Sequence, residues 1–203
     1  MICIIDYGVG NLYSLKSSFE KIGADIVVSN DPKVIAGAEK IVLPGVGAFE
    51  DAAKKLEESG LKDVLIVEKD KGKPILGICL GMQLLFDTSY EYGVHKGLGF
   101  IPGDVIPIED IIPKDFKIPH IGWNALKIKK SSELFKYIKD GDYVYFVHSY
   151  YASKCGDVTA VSEYGAELTA SVERDNVYGC QFHPEKSGNV GLNILRAFCE
   201  LGA

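Results

Sequence analysis

Pro74-Ile75-Leu76-Gly77-Ile78-Cys79-Leu80-Gly81-Met82-Gln83 is a short apolar run ending in a cysteine with a glycine two residues away on each side. Ile75, Leu76 and Ile78 read as a buried strand that delivers Cys79 at its carboxyl end, and Met82-Gln83-Leu84-Leu85-Phe86 reads as the helix that follows. The reversal between the two must be sharp. Gly77 and Gly81 lack a Cβ, so strand and helix can close in around a residue whose own backbone is strained, as in a Gly-x-nucleophile-x-Gly elbow. The sulfur would then sit at a helix N-terminus, where unpaired N–H groups favour the nucleophilic thiolate. Cysteine is also among the most often buried residue types, so a core role for Cys79 stays open until a partner base is found.

The rest of the chain reads as support for this stretch. The length of 203 residues suits one α/β domain over residues 1–203, with no Pro-, Gly- or Ser-rich linker to divide it. The N-terminal Ile2-Cys3-Ile4-Ile5 is too short for a signal segment, and no apolar run is long enough to span a bilayer. A cytoplasmic protein without membrane contact is expected. The five cysteines are scattered and odd in number, without a Cys-x-x-Cys pair, which points to neither a disulfide framework nor a zinc ribbon. A net charge of −6, with Arg174 and Arg196 the only arginines, argues against a nucleic-acid surface.

Ile2 to Ile5 reads as a first strand. Asn11 is placed to cap a helix whose apolar face is Leu12, Leu15, Phe19 and Ile22, stopped by Gly23. The intervening Tyr7-Gly8-Val9-Gly10 invites a dinucleotide reading but fails the fingerprint, because Tyr13 stands where its third glycine belongs. Ile26-Val27-Val28 is a second strand, Asp31-Pro32 opens a short helix, and Ile41-Val42-Leu43 is a third strand. Strands alternating with helices imply a doubly wound, mostly parallel sheet with functional loops at the strands' carboxyl ends. Cys79 would thus neighbour Pro44-Gly45-Val46-Gly47. That turn is either plain punctuation or, with the N–H of Leu80, a set of donors for an oxyanion. Further on, Leu98–Ile101, Ala125–Ile128, Tyr143–Val147 and Val158–Val161 read as strands, giving antiparallel additions. Val190, Ile194, Leu195, Phe198 and Leu201 have the spacing of a closing helix.

Gly179-Cys180-Gln181-Phe182-His183-Pro184-Glu185 carries the second chemical signal. In an extended segment His183 and Glu185 point to the same side, so the carboxylate can orient one imidazole nitrogen while the other exchanges a proton with Cys79. A structural histidine and a metal ligand are the competing readings, the latter without any spacing typical of zinc sites. His95, His120 and His148 compete as bases, but none has a carboxylate two residues away.

Together, Gly77–Gln83, Pro44–Gly47 and Phe182–Glu185 resemble the class I glutamine amidotransferases, with three motifs in the right order. Tyr7-Gly8-Val9-Gly10-Asn11-Leu12, Pro119-His120-Ile121-Gly122-Trp123-Asn124 and His148-Ser149-Tyr150 resemble, within that family, the glutaminase subunits of histidine biosynthesis. The resemblance implies a flavodoxin-like sheet, a Cys79–His183–Glu185 triad, and an oxyanion hole from the backbone of Leu80, Val46 and Gly47. It implies L-glutamine held by Gly45, Gly47, Gln83, Ser149 and Tyr150, with no cofactor and no metal. It also implies a separate cyclase subunit, a (β/α)8 barrel, joined as a heterodimer and supplied with ammonia.

Trp123 reads either as a core aromatic or, on a loop flanked by Pro119 and Gly122, as a surface anchor, with Asn11 and Lys186 facing the same partner. Two other classes remain open from sequence: a stand-alone cysteine hydrolase or peptidase, and a catalytically silent regulatory subunit.

Overall fold

The computed structural model describes residues 1–202. In chain order the elements are β1 (Ile2–Ile5), α1 (Leu12–Lys21), β2 (Ile26–Ser29), α2 (Pro32–Gly37), β3 (Lys40–Leu43), α3 (Phe49–Glu58), α4 (Leu61–Asp70), β4 (Ile75–Ile78) and α5 (Leu80–Gln83). There follow β5 (Phe86–Ser89), β6 (His95–Lys96), β7 (Ile101–Pro107), β8 (His120–Ala125), β9 (Lys127–Ile128), β10 (Tyr143–His148) and β11 (Tyr150–Ser153). The chain ends with β12 (Val158–Glu163), β13 (Glu167–Arg174), β14 (Val177–Cys180) and α6 (Gly188–Cys199).

The main sheet has eight strands in the order β2-β1-β3-β4-β14-β13-β12-β9. It is parallel from β2 through β14 and antiparallel beyond, as expected. Side chains of β1 alternate between its two faces. Cys3 and Ile5 join Phe49, Leu56 and Leu65 of α3 and α4, whereas Ile2 and Ile4 join Leu15, Phe19, Ile194 and Phe198 of α1 and α6. All four residues of β1, and all four of β4, are buried, as strands covered on both faces must be. Packing outweighs capping in α1. The Asn11 side chain accepts from Ser14 N at a long 3.4 Å, and such a cap is worth about 1 kcal/mol, against about 2 kcal/mol or more for burying each of Leu15 and Phe19. No helix among the described residues is long and apolar enough to cross a membrane.

Several expectations need correction. The helix expected over Met82–Phe86 is the single turn α5, and Phe86 begins a strand. The carbonyls of Leu84, Leu85 and Phe86 are taken by the N–H groups of Leu98, Phe100 and Gly99, which pulls the chain out of helix. Leu98–Phe100 is therefore the loop that makes these bonds, and the strand starts at Ile101. Ala125–Ile128 is broken at Leu126, whose N–H goes to Asp142. His120–Asn124 is not a loop but β8, paired along its length with β10. The segment after His183 is not extended: Pro184–Lys186 forms one 3-10 turn. Leu201 lies beyond the end of α6.

The tightest packing in the fold is glycine against backbone. A Cβ on Gly81 would overlap the Leu43 carbonyl at the end of β3, with no flexible side chain available to yield. Gly81→Ala should therefore destabilise the protein by about 3 kcal/mol, the upper end of overpacking costs. Urea unfolding checks this, and an unchanged midpoint would show that β3 and the elbow can separate.

Candidate active site

The elbow forms where β4 meets α5. Cys79 takes φ +55° and ψ −112°, an unfavourable left-handed conformation for a residue with a Cβ, held by its N–H to the Cys180 carbonyl at 2.7 Å. Both flanking glycines are required by contact. A Cβ on Gly77 would come within 2.8 Å of the Gly81 carbonyl carbon and the Met82 Cα, and Gly81 is pressed against β3. Such strain costs on the order of 1–3 kcal/mol, and it turns the thiol of Cys79, 8% exposed, toward a cleft instead of the core.

Strand β14 runs parallel beside β4, Cys180 opposite Ile78, so the chain leaving β14 passes the elbow. It carries His183, whose N–H is fixed to the Tyr145 carbonyl at 2.9 Å. The 3-10 turn brings Glu185 back, and its Oε1 lies 2.8 Å from His183 Nδ1, both side chains being 3% exposed. Ser187 Oγ locks this turn, donating to the His183 carbonyl at 2.6 Å while accepting from Tyr145 N at 2.9 Å. Nε2 is the ring nitrogen that the bond to Glu185 leaves free, and Cys79 lines the same cleft as the imidazole, its Sγ 3.9 Å from the Val147 carbonyl. Burial pushes His183 down, but Cys79 and the Glu185 carboxylate outweigh it and raise the imidazole to about 9.

The cleft above the sulfur has a volume of about 420 Å³. Val46, Gly47, Leu80, Gln83, Ser149 and Tyr150 line it with Cys79 and His183, so the sequence-predicted binding residues converge there. Lys186 is at its rim, and Gly45 lies just behind, against Gly81 N. Among the described residues the backbone N–H groups of Val46, Gly47 and Leu80 have no acceptor in the chain. Asn11 is elsewhere, capping α1. Trp123 stands on β8 outside the cleft, 52% exposed and edge-on to Tyr145, which also carries Lys186 Nζ at 5.9 Å from its ring centre.

Two groups, one beneath the cleft and one in its wall, carried no sequence signature. Gln181, fully buried, points Nε2 at Cys79 Sγ (3.8 Å) and accepts from Gln83 Nε2 at 3.0 Å, while Gln83 also donates to the Tyr150 carbonyl at 3.2 Å. Glu91 enters from the loop after β5, and its Oε2 accepts from Phe49 N at the start of α3 at 2.6 Å. Burial raises this carboxyl above the ordinary range. His148 also lines the cleft, but its Nδ1 donates to the Tyr150 carbonyl at 2.8 Å and burial drives it down to about 3. It is a neutral structural donor at the end of β10, edge-on to His120 of β8, whose Nδ1 lies 3.1 Å from its Nε2. A larger cleft of about 530 Å³ beside α3, lined by Glu50, Lys54, Glu57 and His95 among others, has no cysteine, serine or threonine in its lining.

Because His183 is held above its ordinary value of 6.5, its charged pairing contributes stability fully below pH 6.5 and loses it as pH rises through about 9. Glu185→Gln should let His183 titrate well below 9 in imidazole NMR and lower turnover about 10²- to 10⁴-fold, since the amide can hold the wrong tautomer. An unshifted titration with wild-type turnover would make Glu185 a packing residue.

Comparison with known proteins agrees with this geometry. The sequence model of the glutamine amidotransferase class-I family matches residues 3–200. The imidazole glycerol phosphate synthase subunit HisH of Caldanaerobacter subterraneus is 50% identical, over 99% of this chain and 98% of the relative. The HisH subunit of Methanothermobacter thermautotrophicus is 52% identical over the same shares. Among solved structures, a glutamine amidotransferase crystal structure superposes with a TM-score of 0.77 at 18% identity, covering 99% of this chain and 98% of that one. The structure of PurLQS from Thermotoga maritima superposes with a TM-score of 0.71 at 21% identity, covering 97% of this chain and 96% of that one. With its fold, its elbow and its nearly full-length sequence match in agreement, the chain belongs to the class-I glutamine amidotransferases, alongside the HisH subunits of imidazole glycerol phosphate synthase.

Proposed function

We propose that the chain acts over its whole length, residues 1–203, as the glutaminase subunit of imidazole glycerol phosphate synthase. The observation that carries the reading is the meeting, in one cleft, of a cysteine on a strained elbow with a histidine oriented by a carboxylate. The Cys79 thiolate attacks the side-chain amide carbon of L-glutamine, forming a C–S bond and an oxyanion, which the N–H groups of Leu80, Val46 and Gly47 steady. His183, protonated, gives its proton to the departing nitrogen, and ammonia leaves. Water, deprotonated by the now neutral His183, then breaks the thioester to give glutamate and regenerates the thiolate. Gln83, Ser149 and Tyr150 hold the amino-acid end of glutamine, with Glu91 as a carboxylate for its ammonium group. No cofactor or metal takes part.

Released into bulk water, ammonia becomes ammonium and loses its nucleophilicity, so a partner must cover the cleft. The exposed Trp123 and Lys186 and the half-buried Tyr145 between them, with Ile121 57% exposed on the same strand as Trp123, suit such a docking surface. That partner is a cyclase subunit, a (β/α)8 barrel, in a cytoplasmic heterodimer that channels ammonia into a lyase reaction. The products are imidazole glycerol phosphate and aminoimidazole carboxamide ribonucleotide.

Cys79→Ala should reduce glutamine hydrolysis below about a hundredth of wild type without unfolding the chain, because it removes the covalent step and little volume. Retention of more than that, in the complex, contradicts the triad. Trp123→Ala should weaken association with the cyclase by about 2 kcal/mol in titration calorimetry. Glutamine-driven synthesis should fall with it while synthesis from added ammonium salt persists. Normal association would make Trp123 a spectator.

A further inference from the structure

The loop that offers N–H groups beside Cys79 has little rigidity of its own. Gly45 and Gly47 constrain their dihedrals least of all residues, and Gly47 sits at φ +94°. The N–H groups of Val46 and Gly47 have no acceptor among the described residues. Something outside the loop must hold it. On one side is the elbow, where a Cβ on Gly45 would come 2.7 Å from Gly81 N and 2.9 Å from Leu80 Cβ. On the other side is Tyr7, only 6% exposed, whose hydroxyl donates to the Pro44 carbonyl at 2.7 Å and lies 3.0 Å from where a Gly45 Cβ would be. Gly10, from the same loop as Tyr7, packs against the Pro44 ring, 3.1 Å from its own would-be Cβ to Pro44 Cβ.

The Pro44–Gly45 peptide is planar, and proline fixes its own φ, so the plane's orientation rests on Pro44 ψ alone. A hydrogen bond to the Pro44 carbonyl sets that dihedral, and with it the direction in which the turn toward Val46 and Gly47 departs. We propose that Tyr7 is a positioning residue for amide hydrolysis, its hydroxyl orienting the Pro44–Gly45 peptide so that the Val46 and Gly47 N–H groups stand where charge develops. The inference rests on the glutaminase reading and adds a residue to it that touches no reacting atom. Burial, with the charge of nearby Cys79, keeps the phenol protonated, so the donor persists across the working pH range.

The test is Tyr7→Phe, which keeps the ring and removes only the donor, made in the full chain and assayed with its cyclase subunit. Three readouts are needed: kcat and KM for glutamine hydrolysis, the rate of Cys79 alkylation by iodoacetamide, and the thermal midpoint. Alkylation uses the thiolate but forms no oxyanion. The proposal expects kcat to fall about tenfold or more, as displaced oxyanion donors cost, with KM, the alkylation rate and the thermal midpoint close to wild type. An unchanged kcat overturns it and leaves Tyr7 as a core aromatic with a satisfied hydroxyl. A parallel loss of alkylation overturns it by moving the effect to the sulfur. A rise in KM alone overturns it in favour of substrate binding, and a lowered thermal midpoint that tracks the loss of kcat overturns it in favour of a purely structural bond. Failure of the underlying reading shows in a separate arm, wild-type hydrolysis by Cys79→Ala, and would take the proposal with it.

Discussion

The backbone-to-backbone contact between Gly81 and the Leu43 carbonyl is the constraint on which the site depends. It allows the elbow to sit directly against the carboxyl end of β3, so Cys79 and the Pro44–Gly47 loop share one cleft wall. Strand order does the rest. With β3, β4 and β14 adjacent and parallel, the chain leaves all three at the same sheet edge, and the third exit brings His183 to the sulfur. The cleft is a consequence of three neighbouring strand ends, which is where ligands bind in sheets of this kind.

The site stores strain and buried polarity, and the surrounding fold holds both. The left-handed Cys79 costs about as much as burying one large side chain contributes, and the strands carrying it are buried on both faces. Under the cleft, polar side chains are bonded in series: Gln181 to Gln83, Gln83 to the Tyr150 carbonyl, and His148 to the same carbonyl. A buried network satisfied in this way rigidifies its surroundings, and loss of one member exposes the desolvation cost of the others. This is why the substrate-facing groups can be held by a turn and a short strand instead of by long helices.

What was legible in sequence follows from where each signal resides. Strands β1 to β4, the caps of α1 and α2 and the elbow glycines were readable because apolar runs, caps and close approaches are written into neighbouring residues. The nature of β8 was not. Pro119 and Gly122 look like loop residues, and only pairing with β10, distant in the chain, makes that segment a strand. His183 and Glu185 were rightly brought together for the wrong local reason, since a 3-10 turn and not an extended segment joins them. Gln181, Glu91 and the Tyr7 hydroxyl were invisible as functional groups because each acts through a contact tens of residues away or more.

The most direct measurement is intact-protein and peptide mass spectrometry on the complex, acid-quenched within milliseconds of mixing with L-glutamine. A thioester mechanism on this elbow places a mass increment equal to glutamine less ammonia on the peptide containing Cys79, and the increment decays as glutamate appears. Glutamate formed without that adduct, or an adduct on Cys3, Cys155, Cys180 or Cys199 instead, would contradict the assignment of Cys79 as the nucleophile.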